Sequence, residues 1–133
     1  MSKWSDASLL KSIKNPSKKP YEIKIKAPEL TFLGVKNQPD YGKLYLIFYP
    51  NDKIVELKSF KLYLQQYRNK VLSYERLINV IYNDIIQVYQ PYRIRIIIDF
   101  NTRGGISSRL TIDSDWKDRG GKEEFNGWRE DVW

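Results

Sequence analysis

Val55-Glu56-Leu57-Lys58-Ser59-Phe60-Lys61-Leu62-Tyr63 is the stretch on which the reading of the fold turns. Ahead of it the apolar residues recur every second position; from it onward they recur every third or fourth. Leu57, Phe60, Leu64, Tyr67 and Val71 hold that helical spacing, which predicts an amphipathic helix. Immediately upstream, Lys43 to Tyr49 predicts a strand that is apolar on both faces. Leu44, Leu46 and Phe48 point one way, and Tyr45, Ile47 and Tyr49 the other, so both sides need cover. Pro50-Asn51-Asp52 is the turn between the two periods. Downstream, the helical pattern weakens at Asn69-Lys70, and Ser73 offers an N-cap for a second helix with Leu77, Ile81, Ile85 and Val88 on one face. Pro91 ends that helix.

Working outward, Tyr21 to Lys26 alternates as a half-buried strand, and Ala27 to Asp40 is expected as a loop containing Pro28, Gly34 and Pro39. After the helices, Tyr92 to Phe100 alternates again, Asn101 to Gly105 is a hairpin loop, and Ile106 to Ile112 returns as a fourth strand. The element order is strand, strand, helix, helix, strand, strand. Two hairpins of this kind pair into one antiparallel four-stranded sheet with the helix pair on one face, an α+β fold. The second apolar face of the Lys43–Tyr49 strand then asks for a partner, which predicts a closed oligomer.

The length of 133 residues suits one domain, expected over 21–113, with a basic flexible arm over 1–20 and a C-terminal tail over 114–133. Order in the tail is expected to depend on docking of Trp116, Trp128 and Trp133. Net charge is +7, unevenly spread: residues 1–20 carry five lysines against Asp6, while residues 117–133 are net negative by one. A basic balance favours anionic partners, and it also serves plain solubility. The chain has no cysteine and no histidine. That excludes disulfides, thiolate chemistry, imidazole acid–base work and the usual zinc ligands, and no carboxylate spacing suggests a metal site. No apolar run is long enough to cross a bilayer and no signal-peptide segment is evident, so a cytoplasmic protein without a membrane partner is expected.

Three segments in the right order resemble the QueF family, the NADPH-dependent 7-cyano-7-deazaguanine reductases of the tunnelling-fold (T-fold) superfamily. Leu30-Thr31-Phe32-Leu33-Gly34-Val35-Lys36-Asn37-Gln38-Pro39-Asp40-Tyr41 is similar to the family loop F-T-S-L-C-P-x-T-G-Q-P-D-F. Val55 to Tyr63 is similar to V-E-S-K-S-L-K-L-Y, followed by Tyr67-Arg68-Asn69 where the family has F-R-N. Arg103-Gly104-Gly105-Ile106-Ser107 is similar to R-G-G-I-S. The resemblance implies a ββααββ T-fold whose sheet closes into a barrel by oligomerisation.

It also implies roles. In the family the loop cysteine attacks the nitrile as a covalent nucleophile, the aspartate of Q-P-D donates protons, and NADPH supplies hydride. Carried over, Asp40 is the proton donor, Glu56 and Glu75 are the base-binding carboxylates, and Lys58, Lys61, Arg103 and Gly104 meet the dinucleotide. Here Gly34 stands at the cysteine position in a loop one residue shorter. Leu57 stands at the signature serine, Tyr74 at the active-site histidine beside Glu75, and Ser73 at the phenylalanine before it. The implied function is a QueF-like protein of the queuosine (7-deazaguanine) pathway that binds a purine-like base without the cysteine-dependent reduction, alone or beside a homologue. Two alternatives stand with it: an active family enzyme with changed chemistry, and a basic RNA- or tRNA-binding module.

Each residue also has a plain structural reading. Glu56 and Glu75 are first-turn carboxylates that suit a helix dipole. Pro39-Asp40-Tyr41-Gly42 is an ordinary turn sequence. Lys58 and Lys61 are polar positions of an amphipathic helix, and Arg103-Gly104-Gly105 is a hairpin as well as a candidate phosphate nest.

Overall fold

A computed structural model describes residues 3–122. Trp128 and Trp133 lie outside the described residues. In chain order the elements are β1 (Ser12–Lys14), β2 (Ile23–Leu33), β3 (Pro39–Tyr49), β4 (Lys53–Val55), α1 (Leu57–Gln65), α2 (Tyr74–Tyr89), β5 (Arg93–Arg103) and β6 (Ile106–Asp113), with short 3-10 turns between some of them. Strands β2, β3, β5 and β6 form, in that order, an antiparallel four-stranded sheet. The α+β arrangement of two hairpins and two helices is therefore as expected. A small antiparallel sheet of β1 and β4 is added to it.

One core joins the layers. Leu44, Leu46 and Phe48 of β3 and Ile94, Ile96 and Ile98 of β5 meet Phe60 and Tyr63 of α1 and Leu77, Ile81 and Ile85 of α2. The helices form where their apolar stripes can be buried this way, and both start with a side-chain cap. Glu56 accepts from the Lys58 and Ser59 amides, and Ser73 accepts from the Arg76 amide. On the opposite face of the sheet Tyr45, Ile47 and Tyr49 are half-buried and Ile97 is buried.

The expected loop Ala27–Asp40 is mostly strand. β2 runs on to Leu33 past a register shift between Ala27 and Leu30, and β3 already begins at Pro39. Pro28 cannot donate to the ladder, so it sits at that irregularity, while Leu30 and Phe32 resume the alternation and are buried. Only residues 34–38 turn the chain. The approach of β5 to the start of β3 is close: a Cβ on Gly42 would lie 3.1 Å from the Asp99 carbonyl and 3.2 Å from Ile98 Cγ2.

The flexible arm expected over residues 1–20 is instead docked along much of its length. Leu10 is buried in the core. Ser5 Oγ donates to buried Asp84 Oδ2 at 2.6 Å, where the Tyr63 hydroxyl also donates. The Lys11 amide donates to Ser59 Oγ at 2.9 Å, and the Lys11 carbonyl accepts from the Glu56 amide and the Tyr89 hydroxyl. The lysines drew attention to charge, but the apolar and backbone groups between them decide the packing.

Arg93 and Arg95 of β5 converge on Asp113, which has no exposed surface. Arg93 Nη2 and Arg95 Nη1 lie 2.7 and 2.9 Å from Asp113 Oδ2. Burial pushes that carboxyl up, but the Arg93 hydrogen bonds, the Asp115 amide and Arg95 together hold it below its ordinary value. Trp116 stands over Arg95, docking the start of the tail.

Candidate functional site

Strand alternation puts Asp40 on the helix-facing side of β3, in line with Leu44, Leu46 and Phe48. There it lies beneath the first turn of α2. The link that brings α2 to it is backbone: the Leu33 amide donates to the Lys70 carbonyl and the Leu72 amide to the Leu33 carbonyl, both at 3.0 Å. This clamps Ser73-Tyr74-Glu75 beside the 34–38 turn. The turn is itself closed by the Gly34 amide donating to the Gln38 carbonyl at 2.7 Å. Lys36 and Asn37 take left-handed backbone angles, with φ of 61° and 59°. Such strain is tolerated best by Asn and concentrates at functional sites.

The Asp40 carboxylate is 4 % exposed and held from three sides. Its Oδ2 accepts from the Tyr74 hydroxyl at 2.7 Å, and its Oδ1 accepts from the Tyr41 amide at 2.8 Å. Arg103 Nη1 is 3.6 Å from Oδ1. Arg103 also donates to the Pro39 carbonyl and to Gln38 Oε1, so it fastens the turn as well as facing the acid. Tyr74 is stacked on Phe100, ring centroids 3.8 Å apart, and meets Phe32 edge-on. Burial, then the hydrogen bond to Asp40 and its negative charge, push the Tyr74 hydroxyl up, so Tyr74 stays a donor at neutral pH.

Gly34, expected at the position of the family cysteine, opens on this acid. A Cβ built on it would lie 3.4 Å from Asp40 Oδ2 and 3.6 Å from the Gln38 carbonyl. Gly34, Gln38, Asp40, Tyr74, Glu75 and Arg103 line one open cavity of about 460 Å³. Asp40, the adjacent Tyr74 and Glu75, and Arg103 come from three separate stretches of sequence and are thus brought together with Gly34.

The other expected site residues are elsewhere. Leu57 and Lys61 line a second cavity of about 390 Å³, with Lys26, Pro28, Gln65 and Arg68. Glu56 caps α1, and Lys58 is exposed on its first turn. Of the residues expected at a dinucleotide, Arg103 belongs with Asp40 rather than with Lys58 and Lys61. Gly104 forms the exposed β5–β6 turn, with φ of 60°. Sequence reasoning did not single out Gln38, Phe32 or Phe100. The register could have found the two phenylalanines, since Phe32 pairs with Asp40 and Phe100 with Gly42. Among the described residues no group of His, Cys, Asp or Glu is placed to hold a metal ion, and no helix is long and apolar enough to cross a membrane.

Comparison with known proteins bears on the same elements. The chain belongs to the family described as QueF-like protein, whose profile matches residues 39–119. It is similar to the NADPH-dependent 7-cyano-7-deazaguanine reductase of Prochlorococcus marinus (strain MIT 9515), 41% identical over 105 residues that cover 77% of each chain. The enzyme of the same name from a Nitratiruptor species is 37% identical over 102 residues, 76% of this chain and 78% of that one. The one from Thermomicrobium roseum is 39% identical over 104 residues, 77% and 81% of the two chains. In fold, the chain is similar to the crystal structure of the archaeosine synthase QueF-Like in the apo form. That likeness has a TM-score of 0.67 and 13% identity, and covers 72% of this chain and 95% of that one.

Proposed function

We propose that this QueF-family chain binds a 7-deazaguanine-type base in the Asp40 cavity and does not carry out the cysteine-dependent nitrile reduction. The observation that carries this is the 3.4 Å between Asp40 Oδ2 and the Cβ position of Gly34. The acid and the nucleophile position share one cavity, and the nucleophile position has no side chain. Covalent catalysis needs an activated nucleophile within reach. Tyr74, the hydroxyl nearest Asp40, is spent as a donor to it. Glu75, on the cavity rim, would accept the donor edge of the base by charge-assisted hydrogen bonds.

Glu56 and Leu57, the other base-binding positions, lie away from Asp40 in a single chain. A second copy, or a homologue, that closes the sheet along its outer β2 and β6 edges would bring the two sets to one ligand. The half-buried outer face of β3 supports such closure, since an unpaired edge beside an apolar face favours association. Lys58 and Lys61, on the first turns of α1, would hold the phosphates of NADPH, the cofactor named for the relatives. The basic side chains and apolar walls of the second cavity suit a dinucleotide.

Calorimetric titration with 7-cyano-7-deazaguanine, with and without NADPH, tests the reading alongside the absorbance of the reduced nicotinamide. Binding with unchanged absorbance is expected. Absence of binding at high protein concentration, or steady oxidation of NADPH, would overturn it.

A further inference from the structure

The geometry points to a further activity of this cavity: addition of water to the nitrile carbon of a bound cyano-substituted base, giving the carboxamide, with Asp40 taking the proton. This rests on the base-binding reading above. The nearest atoms to a Cβ on Gly34 are Asp40 Oδ2 at 3.4 Å, the Gln38 carbonyl oxygen at 3.6 Å and Asp40 Cβ at 3.7 Å. Two of the three are hydrogen-bond acceptors. The space that a side chain on Gly34 would fill therefore faces two acceptors, and a water entering it would donate to them and keep a lone pair for the cavity. A cysteine at this position would take that place.

Both acceptors are fixed in position. The carboxylate is buried and held by the Tyr41 amide and the Tyr74 hydroxyl. The Gln38 carbonyl accepts from the Gly34 amide, and the Gln38 side chain accepts from Arg103. A base held within hydrogen-bond reach of the proton it takes, on a rigid support, is the geometry general-base catalysis requires.

The step balances without a reductant. The water oxygen bonds to the nitrile carbon, and one C–N π bond becomes a lone pair on nitrogen. Asp40 accepts the water proton and returns it to that nitrogen. The imidic acid then shifts a proton to become the carboxamide. One water is added and nothing leaves. This separates the activity from that named for the relatives, which consumes NADPH.

The test incubates the full chain with 7-cyano-7-deazaguanine in heavy-oxygen water, without NADPH, and weighs the products by mass spectrometry. The expected result is a product heavier than the nitrile by one heavy-oxygen water. Asp40→Asn should slow its formation by about 10²-fold or more with the base at saturation, and Gly34→Cys should abolish it. Base binding with no gain in mass would overturn the inference and leave the binding reading intact. So would a gain undiminished in Asp40→Asn, or a gain of one ammonia seen only in ammonium buffer. Failure of the base to bind at all would overturn the binding reading itself, and the inference with it.

Discussion

Replacing Gly34 by cysteine should give the cavity a covalent nucleophile without harming the fold. Gly34 has φ of −85° and ψ of −163°, extended backbone open to any residue. The contacts of its Cβ, 3.4 to 3.7 Å, are ordinary van der Waals separations. Removing a glycine's freedom from the unfolded chain at a compatible position stabilises by about 0.4–1 kcal/mol, so Gly34→Cys and Gly34→Ala should melt no lower than the parent. The thiolate is the attacking species, and a free thiol ionises near pH 8.5. The Asp40 carboxylate beside it disfavours the thiolate, while Arg103 on the far side of that carboxylate partly offsets this. Capture should therefore be slow at neutral pH and rise about tenfold per pH unit until the thiol ionises. Thiolate addition to the nitrile forms one S–C bond and expels nothing. The adduct weighs the sum of protein and 7-cyano-7-deazaguanine, and intact-protein mass spectrometry reads it directly. Gly34→Ala supplies the blank. No adduct at pH about 9, in a variant that calorimetry shows to bind the base, would refute the placement of Gly34 at the nucleophile position.

Leu10→Ala should cost about 2–5 kcal/mol in denaturant unfolding, because Leu10 belongs to the core; a change near zero would restore the loose arm. Asp113→Ala should cost about 3–5 kcal/mol, since it leaves Arg93 and Arg95 without their buried partner. The Asp113 carboxyl is held below its ordinary value, so its contribution is complete above pH about 4 and is lost as pH falls below that; an acid titration in which Asp113→Asn and the parent lose stability in parallel would contradict this. Burial pushes the Tyr63, Tyr67 and Tyr89 hydroxyls up, Tyr89 to about 12. Their contribution is full below pH about 10 and fades as pH rises toward 12. Tyrosinate absorbance from these residues should then appear together with loss of helical circular dichroism, whereas tyrosinate growth in a protein that stays folded would show them accessible.

Much of this protein could be read locally. The switch from alternation to helical spacing at Val55 marked both helices, and Ser73 marked the start of the second, because period and cap chemistry are properties of neighbouring residues. Boundaries were less legible where a single break residue stood for a whole loop. Pro28 and Gly34 suggested fourteen residues of coil between Ala27 and Asp40, but the alternation of Leu30 and Phe32 continued beneath them, and ladder pairing with β3 prevailed. The docking of residues 5–14 was illegible for a different reason. Its contacts are to Asp84, Ser59 and Tyr89, far along the chain, and are made largely by backbone groups that carry no sequence signal.

The candidate site divides in the same way. Residue identity alone determined that neither thiol nor imidazole chemistry is available, since no fold supplies an absent side chain. The resemblance of three segments to the QueF family pointed to Gly34, Asp40, Tyr74, Glu75 and Arg103. Only the tertiary structure decided that these five share one cavity while Glu56, Leu57 and Lys61 lie apart from it. The Leu33 to Lys70 and Leu72 backbone bonds and the pairing of β3 with β5 bring α2 and Arg103 onto Asp40. Those pairings follow from burying one shared core, a property of the whole chain that no short stretch encodes.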